Sequence, residues 1–290
     1  MAAVTVPGYH PAPPPPAARR PRRWWLIGVV VVWALVLAGL AVWSVRNDPP
    51  TVPEQRDIAA ALPVLQRATG VTLAAADAAD RVVTLGELSF DRDCALTPVR
   101  DGVDASREVT VRVRANQVSG ALKAIADALP AEYAATVRKN AAGTRYGLRA
   151  DAGSLVGVDA TTQSDATVFT LAVSTGCRPL ADGVDLDPAP VAATELPSPF
   201  TAAVQALGAS TTGATSSEVA CPGGAGTART VTADDLTAPA DLGRAVREVV
   251  AGAVIVQADP HAWAYRAGGV SVVVSDGGAS ARVTATTGCR

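Results

Sequence analysis

Histidine and lysine are nearly missing from this chain. His10 and His261 are its two histidines and Lys123 and Lys139 its two lysines, so the basic charge is almost all arginine. General base catalysis near neutral pH draws most often on histidine, whose ordinary pKa suits that work. His10 lies in a proline- and arginine-rich N-terminal stretch. That leaves His261, in "ADPHAWAY" with Asp259 nearby, as the imidazole available to a folded domain. No Gly-x-Ser-x-Gly elbow or Ser-x-x-Lys pair accompanies it. Pro260–His261 therefore reads as a turn leading into a strand.

Metal and phosphate signatures are missing too. There is no His-Glu-x-x-His, and the cysteines lack Cys-x-x-Cys spacing. Asp91 and Asp93 in "FDRDC", and Asp234 and Asp235 in "ADD", lack the glycine and terminal glutamate of a twelve-residue calcium loop. They read as solvated turn acids. "CPGGAGTART" is glycine-rich but has no Gly-Lys-Ser/Thr, so it reads as a flexible turn. These absences lead to an expectation of no catalytic residue, no cofactor and no metal.

Aromatic residues make up only 4 % of the chain, although 49 % is hydrophobic, with alanine and valine supplying much of that. The Ala/Arg/Val/Gly/Pro bias resembles the usage of a GC-rich bacterial genome. No acid precedes Asn47, whereas five arginines do. Of the 25 basic and 27 acidic residues, 20 and 27 therefore remain beyond it, about −7 in net charge. A mildly acidic domain binds nucleic acid poorly, and no basic patch offsets this, so no nucleic-acid partner is expected.

What is present begins with "WWLIGVVVVWALVLAGLAVWSV", residues 24–45, which carries no charge. As a helix rising about 1.5 Å per residue it spans a hydrocarbon core about 30 Å thick. Trp24, Trp25 and Trp43 fall near its ends, where amphipathic rings prefer the interface. Arg19, Arg20, Arg22 and Arg23 precede it, against Arg46 and Asp48 after it. The positive-inside rule then puts the N-terminus in the cytoplasm and the remainder outside. The apolar run exceeds the roughly 7–15 residues of a signal peptide and shows no clear cleavage site, so an uncleaved single-pass anchor is expected. No cysteine lies near the helix end to take a lipid. Residues 1–23, with prolines 13 to 16, read as a disordered cytoplasmic tail whose arginines hold the orientation.

All four cysteines, Cys94, Cys177, Cys221 and Cys289, lie on the predicted outer side, where an even number reads as two disulfides. Spacing alone allows three pairings. A repeat chooses among them. Thr-Gly-Cys-Arg occurs at Thr175–Arg178 and again at Thr287–Arg290, and the preceding sequences align with small gaps. Each half carries an amphipathic helix: Leu122, Ile125, Ala126 and Leu129 between Ser119 as N-cap and Pro130, and Leu242, Ala245, Val246, Val249 and Val250 between Asp241 and Gly252. Each opens with a weaker helix, at Ile58, Leu62 and Leu65, where Pro63 threatens a kink, and at Phe200, Val204 and Leu207. Strands fill the rest: Val109, Val111 and Val113 alternate, as do Phe169, Leu171 and Val173, and "AVIVQA", "GVSVVVS" and "ARVTAT" follow in the second half.

Each unit thus reads as helix, cysteine-bearing strand, helix, then two or three antiparallel strands ending at Gly-Cys-Arg. The expected fold class is α+β: one transmembrane helix, then two tandem homologous units of helices on a small, mainly antiparallel sheet. Equivalent positions imply Cys94–Cys177 and Cys221–Cys289, each closing a loop worth ~4–5 kcal/mol in the chain-entropy model. The second closing strand is expected to be complete at Cys289. The boundaries are a tail over 1–23, a membrane helix over 24–45, a linker over 46–55, one unit over 56–180, a proline-rich linker over 181–197 and a second unit over 198–290.

Duplication, anchoring and the missing catalytic groups point to a non-enzymatic envelope protein, a binding or assembly module with a protein partner in the envelope. Such a module should offer a groove shared between units or an exposed apolar patch. The alternatives are an extracytoplasmic enzyme acting on envelope material through cleft carboxylates, which should show a pocket in one unit that the other has lost, and a ligand sensor.

Overall fold

A computed structural model describes residues 24–47, 56–97 and 100–289. The expected tail and most of the 46–55 linker lie outside the described residues. The chain divides into two units, residues 1–49 and 50–290.

The first unit contains α1 (Trp24–Asn47), two residues longer than the uncharged run. Its stretch Trp24–Trp43 is long and apolar enough to cross a membrane. A helix apolar on every side has no soluble face, so α1 has the character of a membrane anchor or a signal sequence.

The second unit opens with α2 (Ile58–Ala76), where the Asp57 side chain accepts from the Ala60 N–H at 2.9 Å. Pro63 falls in its second turn on the exposed side, and the helix continues well past Leu65. Ile58, Ala61, Leu65, Ala68, Thr72, Leu73 and Ala76 line its buried stripe at helical spacing. Two long strands follow, β1 (Val82–Thr97) and β2 (Arg100–Arg112), then α3 (Val118–Ala128). The latter starts one residue before Ser119; Gln117 occupies the N-cap and makes no side-chain cap bond. It ends ahead of Pro130, which cannot continue a helix. Four strands come next, more than expected: β3 (Thr136–Lys139), β4 (Arg145–Asp151), β5 (Gly157–Gln163) and β6 (Val168–Ser174). The first two are short and charged, which hid their alternation.

These six strands form one antiparallel sheet in the order β1-β2-β6-β5-β4-β3. Val109, Val111, Phe169, Leu171 and Val173 point to α2 and α3 and build the first core. Asp91 and Asp93, expected in a turn, lie exposed on β1 instead.

The remaining elements are β7 (Val191–Ala192), α4 (Ser198–Ala206), β8 (Thr215–Ala220), β9 (Thr227–Thr237), α5 (Leu242–Val246), β10 (Val254–Asp259), β11 (Ala262–Ala267), β12 (Val270–Asp276) and β13 (Ser280–Thr287). Asp241 caps α5 as expected, its carboxylate accepting from the Arg244 N–H at 2.9 Å. The helix stops at Val246, not near Gly252, and turns fill the gap. Val249 and Val250 carry β-branched side chains that favour helix weakly. Cys221 falls just after β8, not on it, and a single 3₁₀ turn, Pro222–Gly224, follows.

The second sheet runs β10-β11-β12-β13-β9-β8-β7. Leaving β7 aside, this is the first sheet's order with β8 in the place of β1, β9 of β2, β13 of β6 and β12, β11 and β10 of β5, β4 and β3. Phe200, Val204, Leu242 and Val246 pack against Val231, Tyr265, Val272, Val274, Val283 and Ala285 to form the second core. Both disulfides join the end of the first strand of this pattern to the end of its third: Cys94–Cys177 and Cys221–Cys289.

Residues 181–197 do not stand clear of the body as a spacer. Val184 and Leu186 pack on the first core, and β7 pairs with β8 at the edge of the second sheet. The two halves also touch closely elsewhere. A Cβ on Gly70 of α2 would lie 2.1 Å from the Ala220 carbonyl oxygen, so the helix can approach β8 only as glycine.

Candidate functional site

The two sheets differ on the faces turned away from their helices. In the second sheet that face is covered by the first half. Two rows of cross-strand neighbours lie there: Ala264, Val273, Thr284 and Thr232 in one, Arg266, Ser271, Thr286 and Thr230 in the other. The segment Asp77–Leu85, which runs from the end of α2 into the first residues of β1, lies over them. Val82 packs with Val256, Ala264 and Val273 in a small buried cluster. The Val83 N–H donates to Ser271 Oγ and the Leu85 N–H to Thr230 Oγ1, each at 3.1 Å. Arg266 Nη1 donates to Asp77 Oδ1 at 2.5 Å and to the Arg81 carbonyl at 3.3 Å, and this ion pair is only about a tenth exposed (10 % and 9 %). Hydroxyls thus receive the N–H groups of an edge strand that no neighbouring strand takes.

The corresponding rows of the first sheet follow from register. Ser174 and Thr286 each stand three residues before the second cysteine of their half, and Ser174 pairs with Ser106 as Thr286 pairs with Thr230. The matching rows are then Arg149, Asp159, Ala172 and Glu108, and Asp151, Gly157, Ser174 and Ser106. Where the second sheet has Ala264 facing Val273, the first has Arg149 facing Asp159, a loose pair at 3.7 Å with both side chains exposed. None of these residues is buried.

A pocket of about 310 Å³ lies at the end of this sheet where the β4–β5 loop and the start of β3 come together. Both sides of the sheet contribute to it: Arg149, Asp151 and Gly157 of the matching rows, and Tyr133, Ala150 and Val156 of the first core, with Leu155 beside them. Leu155 belongs to the β4–β5 hairpin loop, where Gly153, Ser154 and Leu155 all have positive φ (86°, 53° and 59°). A non-glycine residue in that region costs ~1–3 kcal/mol. Leu155 is nonetheless 46 % exposed there. The matching β11–β12 turn is one residue shorter, closes through Gly268 and Gly269, and presents no such side chain. Burial pushes the Tyr133 hydroxyl above its ordinary pKa, with Arg67 opposing and Glu132 assisting. Arg178, from the first Thr-Gly-Cys-Arg, holds the loop from beneath: its guanidinium is buried and donates to the Ser154 carbonyl and, at 2.8 Å, to that of Thr175.

Other clefts are less defined. A mostly apolar groove of about 440 Å³ runs between α2, at Pro63, Arg67 and Val71, and the Cys221–Gly223 turn, so both halves line it. Asp234 and Asp235 come together beside a 220 Å³ hollow, where Arg282 pairs with Asp234. Behind β1, Arg107 is buried and gives four hydrogen bonds to neutral acceptors: the Gly86 and Glu218 carbonyls, Gln66 Oε1 and Ser217 Oγ. Desolvation lowers its pKa to about 10, with Glu87 opposing. Arg107 thereby ties β2 to α2 and β8.

The four cysteines singled out by sequence sit at the strand ends, Cys94–Cys177 at one and Cys221–Cys289 at the other, away from the pocket lining. His261 forms the β10–β11 turn with Pro260; its Nδ1 lies 3.6 Å from Asp276, not from Asp259. Among the described residues no group of three or more His, Cys, Asp or Glu side chains could hold a metal ion. Tyr133, Arg149, Asp151 and Leu155 escaped sequence reading. The one signal pointing to them was a gap in the aligned halves, where "DAGSLVG" meets "RAGGVS".

No family model matches the chain, and no curated protein does. Among solved structures, a DUF4853 family protein from Actinomyces odontolyticus is similar at 15 % identity and a TM-score of 0.32. The match covers 47 % of this chain and 76 % of that one. A likeness of that size carries no argument about fold or function.

Proposed function

We propose that this is a single-pass, membrane-anchored envelope protein whose extracytoplasmic part is a non-enzymatic binding or assembly module made of two copies of one α+β unit. The observation that carries the reading is the shared strand order combined with unequal outer faces. One face is filled by the chain itself, and its counterpart stays open. Equivalent disulfides support the duplication, and disulfides belong to an oxidising compartment. The arginine excess before Trp24 supports an N-terminus in the cytoplasm. Duplicated units that diverge at one surface commonly do so where one copy has taken on a partner, which is an argument from analogy.

Cross-linking the tagged full-length protein in its own membrane, then mild-detergent purification and mass spectrometry, tests the reading. One partner at near-stoichiometric yield is the expected result. A protein recovered alone overturns it.

A further inference from the structure

We infer that β10 is the edge through which two copies of this chain pair, strand to strand and antiparallel, when both are held in one membrane. The inference goes beyond the envelope partner proposed above and does not depend on it. The two sheets have four edge strands, and three of them are guarded. β1 is covered where the N–H groups of Val83 and Leu85 meet Ser271 and Thr230. β3 has four residues and carries Arg138 and Lys139, and β7 has two residues. β10 has six, with no lysine, arginine or proline among them, and Val254 and Ile255 stay exposed on it at 43 % and 37 %.

Register decides which backbone groups this edge offers. The Asp276 N–H donates to the His261 carbonyl, so His261 faces β12, and the alternate residues Ala262, Ala264 and Arg266 face β10. Their partners Asp259, Gln257 and Val254 are engaged by β11. Ile255 and Ala258, opposite Tyr265 and Trp263, direct their N–H and C=O groups outward, at a spacing set by the bulge between Ile255 and Gln257. Arg114 reaches this edge and donates from Nη2 to the Ile255 carbonyl at 2.9 Å, which leaves that oxygen a second lone pair.

The edge is complementary to itself. A two-fold axis perpendicular to the sheet sets Ile255 of each copy opposite Ala258 of the other, and exposed Ala258 is small enough to admit it. Asp259 of each copy then falls opposite Val254 of the other, beside Arg114. Its Oδ2 accepts from Gln257 Nε2 at 2.5 Å, and Oδ1 remains for the second copy's guanidinium. Six residues make a small interface, so pairing requires the local concentration of a shared membrane and is absent from dilute solution.

The test uses the full-length protein reconstituted in phosphatidylcholine vesicles. In Arg114→Lys, a zero-length carbodiimide should join the amine at position 114 to Asp259 of another copy. Mixing isotope-labelled with unlabelled protein shows by mass that the link spans two copies. Without that change, energy transfer between donor- and acceptor-labelled copies reports pairing. Arg114→Asp or Asp259→Arg alone should weaken pairing about tenfold, because two charge pairs become two repulsions, and both together should restore it. Both residues are exposed, so neither change threatens the fold. No link between copies, a link through other residues alone, energy transfer unchanged by either reversal, or a double reversal that fails to restore it overturns the β10 pair.

Discussion

Two sheets with the same strand order meet their surroundings in opposite ways. The outer face of the second is interior, closed by hydroxyls, small apolar side chains and one buried ion pair. The outer face of the first is surface, and charges stand where the second has Ala264 and Val273. The difference teaches what covering each face demands. β1 already lies on the hydroxyls of the second sheet, whereas covering the first sheet's face would bury Arg149 and Asp159, and neither can be buried cheaply without the other in good geometry.

The largest expected effect breaks the buried side of this comparison. Asp77→Ala leaves the Arg266 guanidinium enclosed without its carboxylate, and should cost about 3–5 kcal/mol in urea denaturation followed by circular dichroism. Gly70→Ala comes next. A methyl group 2.1 Å from the Ala220 carbonyl oxygen forces α2 away from β8, at about 1–3 kcal/mol.

Tyr265 offers a smaller effect of opposite sign. Its hydroxyl is buried in the second core without a hydrogen-bond partner, and burial raises its pKa to about 12. Tyr265→Phe should therefore stabilise the fold by ~1 kcal/mol. The raised pKa also sets a pH dependence. The folded state holds this proton longer than the unfolded state, so the contribution is complete below pH about 10 and is lost as pH rises towards 12. Stability curves of wild type and Tyr265→Phe should diverge across that window, and parallel curves would show that Tyr265 does not control it.

The smallest effect on stability belongs to the exposed face. Asp159→Ala should cost less than ~1 kcal/mol, since its pair with Arg149 is long and solvated. A cost matching that of Asp77→Ala would erase the contrast between the faces. Converting both residues to their second-half counterparts, Arg149→Ala with Asp159→Val, should leave folding intact and yield concentration-dependent association in sedimentation velocity. A variant that stays monodisperse would show that charge is not what keeps this face open.

Helix positions, the alternating apolar residues of β2 and β6 and the cysteine pairing were readable because each rests on local spacing or on the recurring Thr-Gly-Cys-Arg phrase. The α5 terminus, the number of strands and the fate of residues 181–197 were not. Short charged strands such as β3 carry too few residues to show a period of two, and β7 is only two residues long. The pocket was hidden for a related reason. Tyr133 and Leu155 are 22 positions apart and meet only because the β3–β4–β5 register brings their loops to one end of the sheet.

By itself the sequence determined the apolar helix at Trp24, the α+β class and the two disulfides. These follow from hydrophobic periodicity, charge and repetition along the chain. Only the tertiary structure decided that Thr230, Ser271, Thr284 and Thr286 are interior while Ser106, Thr161, Thr170 and Ser174 are not. A strand that alternates valine with threonine or serine reads the same whether its polar side meets water or another backbone. A hydroxyl can bond either one, so the choice rests with whatever packs against that face.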